Sequence, residues 1–531
     1  MLTERTTKRL QGMSKCSKNG QKVKRVFQLM TNYDDLWQEI AENIGRNRGA
    51  RTPGIDGEKH AVAAGRLDSI REQLKQDTYR PLPVRRVYIP KKNGKLRPLG
   101  IPTATDKLVQ GVAARILEEI YEPVFSEHSH GFRKEHSCHT ALEEFKHNWN
   151  GMKWIIEADI KGCFDNINHE VLLEVLAKRI EDKRFLKLIK SFLKVGYMEN
   201  WNYNRTFSGT PQGGTISPIL ANIYLHELDE WLESKVITFN KGIQRAYSKT
   251  AHNLFNSYQR KRKQARICKE NGQPEKAAEL LAEMKEMLQK YRGMERSDPF
   301  DPNFRRMRHI RYADDFIIGI IGSKSEANQL LTELNGFMTK TLKVELAPEK
   351  TGVVHAETGS RFLGYDVKVV RNANRISRNR RSMLSGIATL EWPMEKVHKF
   401  AYERGYINNL QELRTIPRLP LLNNTEFEIV KRYVQELRGI SNYYSLAKDW
   451  KHAGSRLHWW CKDSLAKTLA KKLRIRRSAV FAKMNRDNVM TYNDGNNKVE
   501  LLPPRAWKRF TNTNPDIKSD CLIPDFQHLD R

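Results

Sequence analysis

Two adjacent aspartates, Asp314 and Asp315, lie within the apolar run "HIRYADDFIIGII" at residues 309–321. Withdrawing an ionised carboxylate from water is costly unless a neighbouring group compensates for it. A divalent cation between the carboxylates would offset both their desolvation and their mutual repulsion. For this pair taken alone, an ordinary Asp-Asp hairpin turn at the protein surface is the alternative.

A third carboxylate favours the metal site. Asp159 directly follows the apolar segment "WIIEA", so a strand that ends there beside a hairpin turn holding Asp314 and Asp315 would bring the three together. Two Mg²⁺ ions about 3.5–4 Å apart would then serve nucleotidyl transfer. One ion would activate an attacking 3′-hydroxyl, and the other would steady the triphosphate and the leaving pyrophosphate.

The composition indicates a polyanionic partner. The 531 residues include 93 Lys and Arg against 62 Asp and Glu, a formal net charge of +31. Nucleic acid is the first partner that such an excess suggests and an anionic membrane surface the second. We expect no membrane span, because no run of 18 apolar residues occurs. The six cysteines show no CxxC spacing, so we do not expect a zinc ribbon. This use of cysteine fits a protein of a reducing compartment.

Hydrophobic periodicity and turn residues predict the elements that position these acids. They are a hairpin over 84–102, a strand over 154–160, helices over 169–180 and 221–236, a helical arm, a helix near 324–340, a β-rich stretch over 344–370, helices from about 390, and a hairpin over 489–502. The arm occupies about 237–305, and its segment 275–291 carries an apolar stripe of Ala277, Leu280, Leu281, Met284, Leu288 and Tyr291.

Seven segments, in order along nearly the whole chain, resemble the blocks of group II intron reverse transcriptases. The most specific is "GTPQGGTISPILANIYLHELD" (209–229), with its Gln-Gly-Gly core. The others are "RPLGIPTATDKLVQ" (97–110), "SHGFRKEHSCHTAL" (129–142), "ADIKGCFDNI" (158–167), "RYADDF" (311–316), "LAPEKTGV" (346–353) and "RFLGYD" (361–366).

The resemblance implies an α+β fold of the right-hand polymerase type, with fingers, a palm of antiparallel sheet and a helical thumb. Its expected divisions are an RNA-binding N-terminal extension (1–80), fingers and palm with the helical insertion (81–375), a thumb or maturase domain X (376–485), and a short tail similar to a DNA-binding segment (486–531).

The resemblance also assigns catalytic roles. Asp159 and Asp314 would bind both Mg²⁺ ions, the backbone carbonyl of Ile160 would complete one coordination shell, and Asp315 would support them. Phe164 would act as a steric gate against a 2′-hydroxyl, so that deoxynucleotides are preferred. An ordinary core position is the alternative for Phe164.

Further residues would bind the nucleotide and the primer. Arg85, Lys91 and Arg97 would hold the triphosphate, unless they form only a solvated basic face. Gln212 would pack near the template and the incoming nucleotide, between glycines that permit close backbone approach. Lys350 would protonate or shield the pyrophosphate, a surface lysine being the alternative. The primer grip would be formed by Phe362, Leu363, Gly364 and Tyr365.

Domain X would bind RNA through interleaved cations and aromatic rings. Helix packing is the alternative for the aromatic residues, and we favour it for Tyr433, Tyr443 and Trp459. The expected RNA-binding residues are Arg438, Tyr444, Lys467, Arg474, Arg476 and Arg477.

One segment departs from the family pattern. "GFRKEHS" (131–137) stands where relatives read "GFRPGRS", which puts one template or RNA contact in doubt. Four histidines crowd this region, but their irregular spacing does not favour a metal site. They are His128, His130, His136 and His139.

The resulting expectation is a reverse transcriptase and maturase that binds its intron RNA, assists splicing, and copies the RNA into DNA for mobility. Its partners would be the intron RNA in a ribonucleoprotein, a DNA target and primer, and dNTPs, and the resemblance also allows a homodimer. We expect no HNH endonuclease, because no CxxC pair follows residue 490. The protein would be located in the bacterial cytoplasm, at the nucleoid when it acts on DNA. An organellar location is the alternative.

Three alternatives remain from the sequence. The chain could be a domesticated or defence-associated reverse transcriptase without an intron. It could be an RNA-binding splicing factor with little polymerase activity, although intact Asp159, Asp314, Asp315 and Gln212 argue against this. It could also be an RNA-dependent RNA polymerase, which Phe164 disfavours.

Overall fold

The computed structural model describes residues 2–90, 94, 96–199, 202–206, 208–210, 213–294, 297–298, 301–376, 382–486 and 489–507. Lys91 and Gln212, both predicted to contact the nucleotide, lie outside these residues. The described structure combines helices with five sheets, in agreement with the predicted α+β class. Within the described ranges, no helix is both long and apolar enough to cross a bilayer.

The N-terminal third is mainly helical and packs against a long central helix. Its first helices share a core with that helix through Leu10, Met13, Trp37 and Ile40. The elements are α1 (Glu4–Lys18), β1 (Val23–Lys24), α2 (Phe27–Asn32), α3 (Asp34–Gly45), α4 (His60–Ala64), α5 (Leu67–Lys75), β2 (Val84–Pro90), β3 (Leu96–Ile101), α6 (Ala104–Tyr121) and α7 (Cys138–Asn148).

The middle third contains the predicted strands and helices at or within a few residues of their expected bounds. Its elements are β4 (Trp154–Asp159), α8 (Cys163–Asn166), α9 (His169–Arg179), β5 (Ile180–Glu181), α10 (Lys183–Lys194), β6 (Tyr197–Glu199), β7 (Asn202–Asn204), α11 (Ser217–Phe239), α12 (Lys249–Glu270), α13 (Pro274–Gly293), β8 (Arg306–Tyr312), β9 (Asp315–Ile321) and α14 (Lys324–Lys340).

The last third changes from sheet to helices. Its elements are β10 (Gly352–His355), β11 (Ser360–Phe362), β12 (Tyr365–Ile376), β13 (Ser382–Glu391), α15 (Met394–Glu403), α16 (Glu426–Tyr443), α17 (Trp450–Leu473), α18 (Arg477–Met484), β14 (Asn485–Arg486), β15 (Val489–Asn493) and β16 (Lys498–Leu501). The hairpin β12–β13 crosses the division expected at residue 375, so the sheet and the following helices are joined by paired strands.

An antiparallel central sheet, in the order β10-β4-β9-β8, carries the acids. Successive side chains of a strand point to opposite faces. On β9, Phe316, Ile318 and Ile320 enter a core with α11 and α14, whereas Ile317 enters a second core with α7 and the C-terminal helices. The apolar run around the aspartates is therefore continuous because both faces of the sheet are covered.

A second sheet, in the order β3-β2-β6-β7, contains the predicted hairpin. Its register pairs Arg85 with Ile101 and Ile89 with Arg97. Opposite residues of an antiparallel pair lie on the same face, and every second residue returns to it. Arg85 and Arg97 therefore share one face of the hairpin.

In the segment of the predicted helical arm, the structure has two helices, α12 and α13, between α11 and β8. Ala277, Met284 and Tyr291 of the predicted stripe are buried. Leu281 is 54% exposed, so its assignment to the stripe was wrong. The side chain of Leu281 lies on the outer side of the helix pair.

The segment predicted as a separate tail from residue 486 begins inside the helical region. In its described part, Met490 and Leu501 are buried in the second core, and β16 packs against α16. An added Cβ at Gly454 of α17 would collide with the ring of Trp507. The described residues 489–507 thus pack against α16 and α17.

Candidate active site

The three predicted carboxylates meet at one end of the central sheet. The register of β4 and β9 places Asp159 directly opposite Asp315. Tyr312 pairs with Asp315 across the β8–β9 hairpin, so Ala313 and Asp314 form a two-residue turn. Ala313 has a φ of +56°, the left-handed value that such hairpin turns require. The structure thus brings Asp159, Asp314 and Asp315 together.

A neighbouring segment fixes the turn of Ala313 and Asp314 from behind. Because it bears the predicted catalytic residue Asp314, this turn is called the catalytic turn. The amide of Arg311 donates to the His128 carbonyl at 2.9 Å, and the amide of His130 donates to the Arg311 carbonyl at 2.8 Å. Gly131 then lies so close to the turn that an added Cβ would collide with the backbone nitrogen of Ala313. The block "GFRKEHS" therefore begins with a residue whose small size the catalytic turn needs.

A buried guanidinium, Arg311, holds the turn to helix α11. Nε and Nη2 donate to the two carboxylate oxygens of Asp229 at 2.7 and 2.6 Å. Nη1 donates to the carbonyl of Ala313 at 2.9 Å and to Oδ1 of Asn222 at 3.2 Å, and Nη2 also donates to Ser129 Oγ at 2.7 Å. All five N–H donors of the guanidinium are thereby used.

The sequence analysis missed this network, although a signal for it exists. Asn222 and Asp229 are seven residues apart on α11, which is two helical turns, so they lie on one face. Polar side chains in such an apolar helix need buried partners. Asn222 also donates through Nδ2 to the Gly131 carbonyl at 2.7 Å, which ties the same helix to the segment behind the turn.

The electrostatics of the carboxylates favour a bound cation. Burial raises the pKa of Asp314, and the nearby Asp159 adds to that rise. Burial and the charges of Asp314 and Asp159 raise the pKa of Asp315 to about 7. Each shift reports that negative charge is unfavourable here, which positive charge would reverse.

The donor set fits a metal that is bound only in part by the protein. Within the described ranges, no group of three or more His, Cys, Asp or Glu side chains is arranged to hold an ion by itself. The expected ligands are the carboxylates of Asp159 and Asp314 with the Ile160 carbonyl, and carboxylate and carbonyl oxygens suit Mg²⁺, which commonly takes its remaining ligands from substrate phosphates and water. Ile160 is buried next to them, in a bridge with Leu346.

Lys350 lies beside the carboxylates. It ends the 3-10 helix Pro348–Lys350, and its Nζ is 2.7 Å from Oδ2 of Asp159. This hydrogen bond raises the pKa of the lysine. The amide of Ala347 donates to the Asp159 carbonyl at 2.8 Å, so the loop bearing Lys350 is fixed to the strand bearing Asp159.

Phe164 lies in the short helix α8, five residues after Asp159. Its ring is half-buried and meets Phe132 edge to face, with centroids 6.3 Å apart. The amide of Thr210 donates to its carbonyl at 2.7 Å, which joins α8 to the start of the Gln-Gly-Gly block. The ring is thus not fully enclosed by the core.

Two of the three cations predicted to hold the triphosphate, Arg85 and Arg97, lie within the described residues. Arg97 is exposed on β3, and its positive charge acts to lower the pKa of Asp314 against the larger effect of burial. Arg85 is half-buried on the same hairpin face. Gly213 has a φ of +103°, and an added Cβ would collide with Gly100 on β3. The expected close approach of the Gln-Gly-Gly backbone is therefore seen at Gly213.

The predicted primer grip is a tight turn. Phe362 pairs with Tyr365, and Leu363 and Gly364 have φ values of +47° and +79°. Tyr443 donates through its hydroxyl to the Leu363 carbonyl at 2.6 Å, and Tyr444 donates to the Gly364 carbonyl at 3.2 Å. The hydroxyl of Tyr365 donates in turn to the Tyr443 carbonyl.

Tyr444 is therefore a core residue, and its assignment to RNA stacking was wrong. The ring is buried and stacks on Trp392, with centroids 4.5 Å apart. Packing is confirmed for Tyr433 and Tyr443, which are also buried. Packing is wrong for Trp459, which is 59% exposed on α17.

The predicted RNA-binding cations fall into two groups. Lys467 donates to the Thr415 carbonyl at 2.8 Å and lies 3.2 Å from Asp463, so its charge is used inside the protein. Arg477 is 2.7 Å from the same Asp463 but is largely exposed. Arg438, Arg474 and Arg476 are exposed.

Three of the crowded histidines form a hydrogen-bonded network around one carboxylate, whereas the ring of His139 bonds the Tyr443 carbonyl at 2.7 Å. His128 Nδ1 and His130 Nε2 lie 2.6 and 2.9 Å from the two oxygens of Glu144. Burial opposes ionisation of Glu144, but these hydrogen bonds outweigh it and lower its pKa to about 2. The network supports the residues that pair with Arg311, behind the catalytic turn.

Two families match this chain. Residues 89–254 match the family described as reverse transcriptase (RNA-dependent DNA polymerase), and residues 386–519 match the type II intron maturase family. The first match contains Asp159, Phe164 and the Gln-Gly-Gly block. The second covers the helices α15 to α18.

Several known proteins are similar over most of their length or of this chain. The group II intron-encoded protein LtrA of Lactococcus lactis subsp. cremoris is 39% identical over 471 residues, 87% of this chain and 77% of that protein. An uncharacterized 91 kDa protein in the cob intron of Schizosaccharomyces pombe is 32% identical over 489 residues, 89% of this chain and 58% of that protein.

Protein YkfC of Escherichia coli is 32% identical over 389 residues, 72% of this chain and 90% of that protein. The order of the blocks, the carboxylates that the sheet brings together and these similarities agree with one another. The chain belongs to the family of group II intron-encoded proteins, and it is an RNA-directed DNA polymerase joined to an intron maturase.

Proposed function

We propose that Asp159 and Asp314, with the carbonyl of Ile160, hold two Mg²⁺ ions in the polymerase site and that Asp315 supports them. The observation that carries this proposal is the pairing of Asp159 with Asp315 beside the turn that bears Asp314. Reverse transcriptases generally use divalent ions, which when bound supply Lewis-acid activation of the 3′-hydroxyl and charge stabilisation at the phosphates.

The remaining side chains would bind and order the nucleotide. Arg85 and Arg97 share a face of the β2–β3 hairpin, from which their guanidinium groups would hold the triphosphate, together with Lys91. Gln212 would contact the template and the incoming base. Lys350, next to Asp159, would donate a hydrogen bond or a proton to the departing pyrophosphate.

Phe164 would select the sugar. A 2′-hydroxyl on the incoming nucleotide would clash with its ring, so that dNTPs are accepted and NTPs are rejected. Its half-buried ring contacts Phe132 and its backbone carbonyl accepts from Thr210, which supports this role, because a gate has to resist displacement.

The fold would follow the right-hand arrangement. The β2–β3 hairpin would form the fingers, the central sheet the palm, and α15 to α18 the thumb. The turn of Phe362, Leu363, Gly364 and Tyr365 would grip the primer, and its attachment to Tyr443 and Tyr444 would couple the grip to the thumb.

The partners would be the intron RNA, a DNA target and primer, and dNTPs. Homologous intron-encoded and maturase proteins imply binding of intron RNA. The exposed Arg438, Arg474, Arg476 and Arg477, together with the N-terminal region, would contact that RNA and assist its splicing. We further propose that the protein forms a homodimer and that it acts in the bacterial cytoplasm, at the nucleoid.

Primer extension on an RNA template tests the site. Wild type should extend the primer with dNTPs and not with NTPs, and Asp314→Asn should reduce the rate by about 10³-fold or more, because the charge that holds the metal is lost. Glu345→Gln, which removes an exposed carboxylate paired with Lys161, serves as the matched control and should retain activity.

A splicing assay with a group II intron should run on the same preparations. Splicing retained by Asp314→Asn would show that polymerisation and splicing are separate activities of one chain. No extension by wild type, with splicing intact, would contradict the polymerase assignment and leave an RNA-binding splicing factor. Extension without splicing help would instead indicate a reverse transcriptase that acts without an intron.

A further inference from the structure

The helical arm formed by α12 and α13 has an apolar interface of its own. Ala251 and Ala265 on α12 are buried, as are Ala277, Met284 and Tyr291 on α13. Phe255 packs on Tyr291 with ring centroids 5.3 Å apart. In the described part of the chain, none of these residues belongs to either of the two cores that stabilise the sheets. The arm is therefore not needed to complete those cores.

A short stem joins the arm to the end of the central sheet that is remote from the acids. Lys241 and Arg305 exchange two backbone hydrogen bonds of 3.1 Å, and the chain enters β8 at Arg306. The catalytic turn follows the other end of β8, seven residues later. At about 3.3 Å per residue, the stem lies roughly 20 Å from the turn.

The two helices of the arm differ in charge. Helix α12 has seven Lys and Arg and one Glu, a net charge of +6, whereas α13 has four cations and four acids, a net charge of zero. The positive charge of the arm therefore resides on one helix. It is densest in the tetrapeptide "RKRK" at residues 260–263.

Most of the cations of α12 are exposed and available to bind another molecule. Lys261 pairs with Glu283 and Arg266 with Glu270. Arg260, Arg262, Lys263 and Lys269 are exposed, and among the described residues they have no acidic partner. These four residues define the basic face of α12, which extends over ten residues, or about 13.5 Å of helix.

We propose that the basic face of α12 docks on the phosphate backbone of folded intron RNA, at a contact separate from the polymerase cleft. The inference rests on the proposed function, because intron RNA is the polyanion that the family binds. Unpaired, flexible cations on a rigid helix suit sequence-independent phosphate contact. A membrane surface fits less well, since the apolar side of α12 is covered by α13 and an interfacial helix needs that side for lipid.

Two triple variants of the full-length protein provide a matched test. Arg260→Gln, Arg262→Gln and Lys263→Gln together remove three charges from the basic face. Lys276→Gln, Lys285→Gln and Lys290→Gln together remove three charges from the exposed positions of α13. Both sets lie on the same arm and change no buried residue, and thermal unfolding should leave both variants at the wild-type midpoint.

The readout is equilibrium binding of a group II intron RNA transcript at several salt concentrations. The α12 variant should bind about 10-fold or more weakly, and the slope of log affinity against log salt should fall by about two to three, because three phosphate contacts are lost. The α13 variant should stay within about twofold of wild type. Replacing Arg260 and Arg262 by lysine keeps the charge and should keep the affinity.

Each other outcome has a definite meaning. Equal effects of the two triple variants, or none in either, would overturn the assignment of the basic face. So would a parallel loss of primer extension on a short unstructured RNA template, because the cations would then act on the primer and template. If wild type itself fails to bind intron RNA, the proposed function fails, which is a different result from an unaffected α12 variant.

Discussion

Arg311 and the arginines of α12 show two uses of the same side chain. Arg311 is fully buried and all five of its donors are used by Asp229, Asn222, Ser129 and the carbonyl of Ala313. Arg260 and Arg262 are exposed and have no acidic partner among the described residues. Burying a charge is costly unless its partners are all in place, whereas an exposed charge keeps its capacity for a ligand.

The difference follows from what each region has to do. The catalytic turn must keep Asp314 in place beside Asp159 and Asp315, and Arg311 holds the carbonyl of Ala313, directly before Asp314. The basic face of α12 has no fixed geometry to keep within the protein, so its charges stay available. Substitutions in the first region should therefore affect stability and rate, and substitutions in the second should affect RNA affinity.

The largest effect is expected from Asp229→Ala. It leaves the buried Arg311 guanidinium without its carboxylate, which should reduce the free energy of unfolding of the central sheet by about 3–5 kcal/mol. Urea unfolding measures this change. The control is Glu58→Ala, which breaks the surface pair with Arg66 and should cost less than about 1 kcal/mol. Equal losses in the two variants would mean that the buried network has no special part in holding the sheet.

Gly131→Ala should chiefly affect the rate. The added methyl would collide with the backbone of Ala313 and displace the catalytic turn, so primer extension should slow by about 10- to 100-fold. Binding of intron RNA should not change. Gly12→Ala, at a glycine of α1 whose added Cβ meets nothing within 4 Å, is the control and should keep full activity. A normal rate in Gly131→Ala would show that the turn adapts.

The smallest effect is expected from Glu144→Gln, and it should depend on pH. The pKa of Glu144 is lowered to about 2, so the stability that it contributes is present above its ordinary value of 4.5 and is lost as the pH falls towards 2. The hydrogen bond that His128 donates to Glu144 raises the pKa of His128, whose contribution to stability is full below 6.5 and is lost as the pH rises through the raised value.

Wild type and Glu144→Gln should therefore differ most between pH 4.5 and 6.5, by about 1–3 kcal/mol in the free energy of unfolding. Urea unfolding across pH 3 to 9 measures the difference. A difference that stays constant with pH would contradict the coupling between His128 and this carboxylate.

The sequence was informative where functional residues differ in polarity from their immediate neighbours. Three carboxylates beside apolar segments predicted the meeting of Asp159, Asp314 and Asp315, because a carboxylate at the end of a buried strand needs a compensating partner. The Arg311–Asp229 pair spans 82 residues and joins two blocks that were considered one at a time, so no local pattern connects its members. The polar residues within α11 were the one available signal.

Which aromatic residues are buried could not be predicted, because burial depends on contacts between segments that are distant in the sequence. Tyr444 and Trp459 both stand among basic residues of the C-terminal helices, and they were assigned the wrong way round. The turn at Leu363 and Gly364 receives the hydroxyls of Tyr443 and Tyr444, which encloses Tyr444 in the core. Helical periodicity alone does not say which face of α17 is left open, and there Trp459 is exposed.

The most direct test of the account combines Asp314→Asn and the α12 triple variant in one crossed experiment. Primer extension on a short RNA template and binding of intron RNA are measured for both proteins. We predict that Asp314→Asn loses extension and binds RNA within about twofold of wild type, while the α12 variant extends normally and binds about 10-fold more weakly. Loss of both activities in either protein would contradict the claim that the buried turn and the exposed helix act separately.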